Sequence, residues 1–331
     1  MTLPSPWAAS LLLGSVLAAS TAAMAAPAGS GAFTIAILPD TQQEVLGTST
    51  RFRQRNEWLV ANRELLNLRF VTHSGDVVNW GAQDPPQFVR ASEAMQPIEA
   101  AGIPFSLAIG NHDTAAVCEG GSACPGVSIP VAVRDTTAFN GTFPPARYVA
   151  LAGAFEAGKV DNSWSTFEAG GRHWMVMTLE LWARPAAIGW ANAVVAAHPG
   201  HNVIVVTHSY LNADGSISAS NGGYGATSPQ YLFDNFVKQH ANIRFVFSGH
   251  VGTAASRSDT GINGNAIHSF LQAFHSTSNP VRLFTVDPVA GTATTRIYAP
   301  FTNTSYPEFD LSLSNLVFVP GDAIFRQGYD G

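Results

Sequence analysis

The sequence predicts an α/β layered protein, and three observations indicate this class. Short apolar runs alternate along the 331 residues with segments of helical periodicity, which is the order typical of strands joined by helices. Glycine, proline and other turn residues separate these segments. Five of the runs are followed by polar residues of metal-binding type. The five runs are Phe33–Leu38, Arg69–His73, Phe105–Ile109, Val203–Thr207 and Ile243–Phe247.

A helix is expected from Thr50 to about residue 67. Threonine is a common N-cap residue, and Phe52, Leu59 and Leu66 share one helical face at seven-residue spacing. The other helices and hairpin strands are expected at Pro86–Ala100, Trp164–Phe167, Trp174–Leu179, Gly189–Ala197, Pro229–Gln239, Arg282–Asp287 and Thr294–Tyr298.

Two segments are expected to be loops beside a functional site. Thr114–Gly158 has no clear period and is rich in Gly, Pro and Thr, so it is expected to shape substrate access. Asn221–Gly225 is glycine-rich and is expected to lie over the site as a flexible loop. Alternating apolar residues after Pro300 predict a final strand. With no internal repeat or clear linker, residues 33–331 are interpreted as one domain with a C-terminal strand extension.

Composition and charge argue against some classes of partner. The chain is 46% hydrophobic and 12% charged, with a net charge of −6, so no nucleic-acid-binding surface is expected. Lys159 and Lys238 are its two lysines, and they cannot form a polybasic membrane-binding patch.

The N-terminus has the pattern of an export signal. An apolar stretch, Trp7–Ala19, precedes Ala23-Met24-Ala25, which fits an A-x-A cleavage site. We therefore predict a signal peptide over residues 1–25, a linker over 26–32, and a periplasmic or secreted protein with no transmembrane span in the mature chain. The alternative is an N-terminal membrane anchor, but the stretch is shorter than the roughly 20 residues of a helical span.

Two cysteines, Cys118 and Cys124, are candidates for a disulfide across a glycine-rich loop. Such a bond persists in an oxidising compartment. Two free thiols are the alternative reading.

Polar motifs follow the five predicted strands. Because ligands in α/β sheets bind beyond the carboxyl ends of the strands, these motifs are expected to converge. Oxygen and imidazole donors in one place suit a hydrolytic metal site. The motifs are Asp40-Thr41-Gln42, Gly75-Asp76-Val77-Val78-Asn79, Gly110-Asn111-His112-Asp113, His208 and Gly249-His250-Val251-Gly252.

In this order the motifs resemble the calcineurin-like metallophosphoesterase superfamily, which reads D-x-H, G-D-x-x, G-N-H-[DE], H and G-H-x-H. The resemblance is to an exported bacterial-type member and spans Asp40 to about Gly252. It implies a four-layer α/β/β/α sandwich of two mixed sheets flanked by helices. It also implies a metal-dependent hydrolase that cleaves phosphate esters through a metal-bound hydroxide.

The resemblance assigns ligands to two divalent metal ions. Asp76 bridges the metals and Asp40 ligates the first. The second is completed by Asn111, His208 and His250.

The resemblance also assigns the proton chemistry. His112 stabilises the transition state and protonates the leaving oxygen, without ligating a metal. Asp113 is expected to orient that imidazole or to stabilise its charge. Asn79 is either an oxygen ligand or the partner in a structural hydrogen bond, and His73 is a possible lining residue.

The chain departs from the motifs at two positions that serve the first metal. Gln42 replaces a histidine and offers a carbonyl oxygen, and Gly252 replaces another and offers no side chain. His268 and His275 lie beyond the last motif and could supply a substitute ligand. We therefore expect one firmly bound metal and one weaker, oxygen-rich position. The ions are Mn, Fe or Zn, one or two per chain, with identity open.

The expected substrate is a small-molecule or peptide-borne phosphate ester. A phosphodiesterase or nucleotidase is the alternative within the same class. The alternative of another class is a non-catalytic binding protein on a degenerate phosphoesterase fold, which the two lost histidines would favour.

Overall fold

A computed structural model of the chain describes residues 31–275 and 278–321. Two large sheets pack face to face, and helices cover their outer faces. The expected four-layer α/β/β/α sandwich is confirmed. The predicted signal peptide and all but the last two residues of the predicted linker lie outside the described residues.

The first sheet combines parallel and antiparallel strands, numbered here in chain order. β1 is parallel to β2 and β2 to β3, whereas β13 pairs with β1 in the antiparallel direction. The spatial order is β15 (Thr304–Ser305), β14 (Thr292–Ala299), β13 (Val281–Asp287), β1 (Phe33–Leu38), β2 (Leu68–His73) and β3 (Phe105–Leu107), and the predicted tail strand β16 (Leu311–Leu313) pairs with β14.

The second sheet has a parallel centre, made of β8, β9, β10 and β12, between antiparallel edges. Its order is β11 (Ala254–Thr260), β12 (Ala266–Gln272), β10 (Ile243–Ser248), β9 (His201–Thr207), β8 (Arg172–Leu179), β7 (Ser163–Ala169) and β6 (Leu151–Ala154), and the short pair β4 (Val117–Cys118) and β5 (Ser122–Ala123) stands apart.

Three buried clusters hold the layers together. Residues of α1 and α3, such as Leu59 and Phe88, pack on the first sheet, and Ile188 of α6 packs on the second. Aromatic side chains, including Trp174 and Phe284, fill the space between the sheets. The helices are α1 (Arg51–Ala61), α2 (Arg63–Leu66), α3 (Pro85–Ala100), α4 (Ile129–Ala132), α5 (Thr137–Thr142), α6 (Pro185–Ala197) and α7 (Pro229–Asn235).

Some expected elements differ in the structure. The first helix is divided at Asn62 into α1 and α2, and the Thr50 side chain makes no capping hydrogen bond. The segment Thr114–Gly158 contains β4, β5, α4, α5 and β6 instead of one irregular loop. Strands β11 and β12 were not predicted from the sequence. β11 is polar along most of its length and carries no apolar run.

The part of the chain that the structure describes contains no helix with the length and apolarity needed to cross a bilayer. Cys118 and Cys124 are joined in a disulfide.

The carboxyl ends of β1, β2 and β3 from one sheet meet those of β9 and β10 from the other. Backbone hydrogen bonds join the loops that follow these strands to one another. The Thr41 amide donates to the Asp76 carbonyl (3.0 Å), and the Gly249 amide donates to the His208 carbonyl (2.9 Å). The predicted polar motifs therefore converge at one end of the sandwich.

Candidate metal centre

Two groups of potential ligands share Asp76. The His208 group consists of Asp76, His208 and His250, and the His275 group consists of Asp40, Asp76 and His275. Within each group the donor atoms lie within 4.8 Å of one another. Four residues predicted from the motifs thus come together, and a shared carboxylate links the two groups.

The His208 group is buried and held by the backbone. His208 Nε2 lies 3.0 Å from Asp76 Oδ2 and 3.2 Å from His250 Nδ1. The other nitrogen, His208 Nδ1, donates to the Ser74 carbonyl (2.9 Å), which directs Nε2 toward the centre. A Cβ at Gly110 would lie 2.0 Å from Asp76 Oδ1, so this position requires glycine.

The His275 group contains the imidazole that the sequence motifs lack. His275 Nε2 lies 2.8 Å from Asp40 Oδ2, and the His250 amide donates to the same oxygen at 3.1 Å. At Gly252 a Cβ would lie 2.8 Å from the Cβ of Ala213, so a histidine there would displace its neighbour. The ligand thus comes from the loop after β12, and nothing in local spacing marks it.

The other substitute considered from the sequence, His268, lies elsewhere. Its Nδ1 pairs with the Ser258 hydroxyl (2.7 Å) on β11.

The donor set fits divalent cations. The side-chain oxygens Asp40 Oδ1, Gln42 Oε1 and Asn111 Oδ1 are buried and have no hydrogen-bond partner among the described residues. Such oxygens are costly unless something binds them, and a cation is a suitable partner. The donor separations of 2.8, 3.0 and 3.2 Å match the roughly 3 Å between adjacent ligands about 2.1 Å from one ion. Two cations sharing Asp76 are therefore compatible with these residues.

Burial and the charges of neighbouring site residues shift the pKa values of the candidate ligands. Burial would raise the pKa of Asp76, but the His208 and His112 imidazoles outweigh it and hold that pKa below its usual value. Burial opposes protonation of His208, yet Asp76 and Asp40 raise its pKa to about 9. Burial, aided by the His208 charge, lowers the pKa of His250 to about 3. A metal ion must therefore compete with a proton at His208.

His112 stands beside the His208 group without joining it. Its amide donates to Asp76 Oδ1 (3.0 Å), and its Nε2 lies 3.9 Å from Asp76 Oδ2. Its Nδ1 donates to the Asn79 carbonyl (2.6 Å) and lies 3.0 Å from Asn79 Oδ1. The hydrogen-bonding alternative for Asn79 is the one that the geometry favours, and Nε2 is left for chemistry.

Asp113 has a different position from the one expected. Its two carboxylate oxygens accept hydrogen bonds from the amides of Val78 (3.0 Å) and Gly110 (2.9 Å). Burial, and then the charge of Asp76, raise its pKa to about 7. Asp113 thus connects the loop that carries Asp76 to the loop that carries His112. The residue that holds the His112 imidazole is Asn79.

His73 is a supporting residue beneath the centre. Its Nδ1 accepts from the Gly75 amide (3.0 Å), and its Nε2 pairs with the Thr41 hydroxyl (3.0 Å). Both ring nitrogens are therefore engaged with the loops.

Comparison with known families decides what this arrangement is. The sequence pattern described as calcineurin-like phosphoesterase matches residues 33–253. The chain belongs to the calcineurin-like phosphoesterase family. The membership confirms the expected class for the matched domain, a metal-dependent hydrolase acting on phosphate esters.

One relative of this phosphoesterase domain is distant in sequence. "Uncharacterized protein YvnB" of Bacillus subtilis (strain 168) is 25% identical over 238 residues, which cover 70% of this chain and 16% of that protein. The match thus spans less than a fifth of the relative's length.

Two solved structures share the fold of the phosphoesterase domain. A dimetal phosphatase from Danio rerio has a TM-score of 0.50 and 11% identity, covering 85% of this chain and 98% of its own. GAP50, the anchor in the inner membrane complex of Plasmodium, has a TM-score of 0.50 and 9% identity. This match covers 86% of the present chain and 89% of GAP50. At these identities the likeness concerns the fold alone.

An aromatic wall, not foreseen from the sequence, flanks the phosphoesterase centre. The Trp182 ring meets His250 edge-on at 5.4 Å between centroids and Tyr224 at 5.5 Å. Trp182 has a φ of 47°, and Arg134 donates to its carbonyl at 2.7 Å. A Cβ at Gly225 would lie 2.1 Å from the Trp182 Cβ, so the predicted glycine-rich loop packs behind this ring.

The disulfide loop of the phosphoesterase lies on the other flank. A Cβ at Gly121 would lie 3.3 Å from His112 Cε1 and 3.0 Å from Asn79 Oδ1. The loop closed by Cys118 and Cys124 therefore sits against the imidazole that is free for chemistry.

Proposed function

We propose that this chain is an exported phosphoesterase that hydrolyses small-molecule or peptide-borne phosphate esters, using two divalent cations and His112. The observation that carries the proposal is the pair of ligand groups sharing Asp76, with an oriented imidazole beside them that belongs to neither. When bound, the cations would neutralise charge on the phosphoryl group and lower the pKa of a water molecule. Asp40, Gln42, Asp76, Asn111, His208, His250 and His275 would hold them.

The chain's own residues supply the rest of the reaction. As water attacks phosphorus, the bond to the leaving oxygen breaks and that oxygen gains negative charge. His112 would deliver the proton from Nε2 to the leaving oxygen, because Nδ1 is held by Asn79. Asp113 accepts hydrogen bonds from the Val78 and Gly110 amides, and so holds the loops of Asp76 and His112 in position.

A pair of substrates tests this function. Metal-reconstituted protein is expected to hydrolyse an aryl phosphate, a bis-aryl phosphate or both, and His112→Asn should lower kcat about 10²- to 10⁴-fold with its metal content unchanged. His198→Asn is the matched control, since His198 contacts the Val194 carbonyl away from the centre. Faster cleavage of the diester would identify the phosphodiesterase alternative.

A non-catalytic binding protein remains the proposal of another class. GAP50 is described as an anchor and shares the fold, so the fold alone does not decide activity. The full ligand set, completed by His275, favours catalysis instead. Absence of hydrolysis of either substrate by metal-loaded protein, with His112→Asn identical to wild type, would establish the binding alternative.

Export is supported by the disulfide as well as by the N-terminal pattern. Cys118 and Cys124 are bonded, and such bonds persist in oxidising compartments. N-terminal sequencing of protein from fractionated cells should give a chain beginning at Ala26. An uncleaved chain in the membrane fraction would indicate the anchor alternative.

A further inference from the structure

A cavity with both polar and apolar walls lies away from the metal centre. Its walls come from the amino-terminal parts of β10 and β12, whereas the metal centre lies beyond the carboxyl end of β10. The cavity has a volume of about 420 Å³, within the range of small-molecule sites. The lining residues that matter here are Arg244, Phe245, His268, Leu316 and Phe318.

Two nitrogens beside this cavity have unmet hydrogen-bonding capacity. Arg244 Nε and His268 Nε2 are buried, and neither has a hydrogen-bond partner among the described residues. Both residues line this cavity, and His268 is in register with Phe245, the residue after Arg244, across β10 and β12. His268 Nδ1 is engaged by Ser258, which steadies the ring.

The charge around the cavity is unbalanced. No carboxylate is among the lining residues, and no ion pair of Arg244 occurs within residues 31–275 and 278–321. A partly buried guanidinium without a counter-ion loses hydration and gains no partner in return. Its planar set of donors matches a carboxylate or phosphate group.

The remaining wall suits an apolar body. Phe245 and Phe318 belong to the buried cluster between the sheets, and Leu316 packs against that cluster. A ligand with an oxyanion at one end and a ring or alkyl group at the other would therefore meet complementary surfaces.

We propose that this cavity binds a small organic anion whose carboxylate or phosphate group pairs with Arg244 and His268 and whose apolar body lies against Phe245, Leu316 and Phe318. The site is distinct from the phosphoesterase centre, and its occupation does not depend on the proposed reaction.

Benzoate and phenylphosphonate are suitable probes, because neither is a phosphate ester that the domain could hydrolyse. Calorimetric titration of the metal-loaded protein should show binding of at least one of them. Arg244→Gln should weaken it at least about tenfold, the effect expected for loss of hydrogen bonds to a charged group. The stronger binder of the two identifies the oxyanion as carboxylate or phosphonate.

Two control variants locate the binding event. Arg257→Gln removes an arginine of the same sheet that pairs with Asp259 outside the cavity, and it should leave affinity unchanged. Asp76→Asn alters the metal centre and should leave binding in the cavity intact. Loss of benzoate or phenylphosphonate binding in Asp76→Asn, with retention in Arg244→Gln, would overturn the proposal.

A second variant that obstructs the cavity keeps the proposal testable if Arg244→Gln does not fold. Ala266 is exposed at the cavity wall, so Ala266→Trp should obstruct the cavity while the circular dichroism spectrum stays that of the wild type. Wild-type affinity in the correctly folded Ala266→Trp or Arg244→Gln variant, or no binding of either probe to the wild type, would refute the assignment.

Discussion

The His208 group and the His275 group share Asp76 but are built in different ways. His208 follows a central strand, its side chain is fully buried, and Ser74 fixes its tautomer. His275 lies in the loop after β12, with a φ of 33° and a side chain that is 38% exposed. A loop ligand must lose more conformational freedom when it binds than a ligand already held by a sheet.

The two metals were expected to differ in binding strength because the first-metal position had lost its histidines. The structure gives a different reason for such a difference. The first-metal position is not short of an imidazole, since His275 lies 2.8 Å from Asp40. We still expect the cation of the His275 group to be the more readily exchanged, because its imidazole comes from a partly exposed loop. Three substitutions test the roles assigned to the two groups and to the residue beside them.

The largest effect is expected from Asp76→Asn. The residue belongs to both groups, so its loss should remove both cations and lower kcat/KM by about 10³-fold or more. Metal analysis after dialysis and steady-state kinetics measure the two consequences. Asp214→Asn is a fully exposed acidic control, and it should behave as wild type. Retention of two ions by Asp76→Asn would disprove the bridging role.

His275→Ala should have an intermediate effect that excess metal reverses. One ion should be lost on dialysis while the His208 group keeps the other, and activity should fall about 10- to 100-fold. Titration with millimolar metal should restore much of it, whereas His208→Ala should not recover. His240→Ala is a matched control, because His240 pairs with Asn192 away from the centre. Equal metal loss in His275→Ala and His208→Ala would show that the two groups do not differ.

Asn79→Ala should have the smallest effect, at most about tenfold on kcat. The backbone carbonyl of residue 79, at 2.6 Å, still accepts from His112 Nδ1 after the side chain is removed. Metal content should be unchanged, since Asn79 is a hydrogen-bonding partner and not a ligand. Loss of a metal ion in this variant would reinstate Asn79 as an oxygen ligand.

Most of the fold and much of the site were predictable from local sequence. Buried parallel strands are continuous apolar runs, and the turns after them need particular residues, such as glycine at position 110 beside Asp76. For this reason the strands that precede the motifs and the candidate ligands at their ends could be recognised from the chain alone.

Other parts could not be predicted because their signals are not local. β11 is a polar edge strand that is recognisable only through its pairing with β12. Asp113 follows His112 directly, yet its carboxylate turns away to backbone amides that lie in other loops. The Trp182 ring reaches His250 because the loops that follow the parallel strands β8 and β10 meet at one end of the second sheet.

Motifs and patterns along the chain were enough to predict the family, the sandwich of two sheets, and the strand-end residues Asp40, Asp76, His208 and His250. The α/β class follows from hydrophobic period, whereas the two-sheet sandwich and the ligand roles are what the resemblance of the motifs to the family implies. The folded chain was needed to show that His275 accompanies Asp40 and that Asn79, not Asp113, contacts the His112 ring. Both outcomes depend on where distant loops meet in space, and no spacing along the chain encodes that meeting.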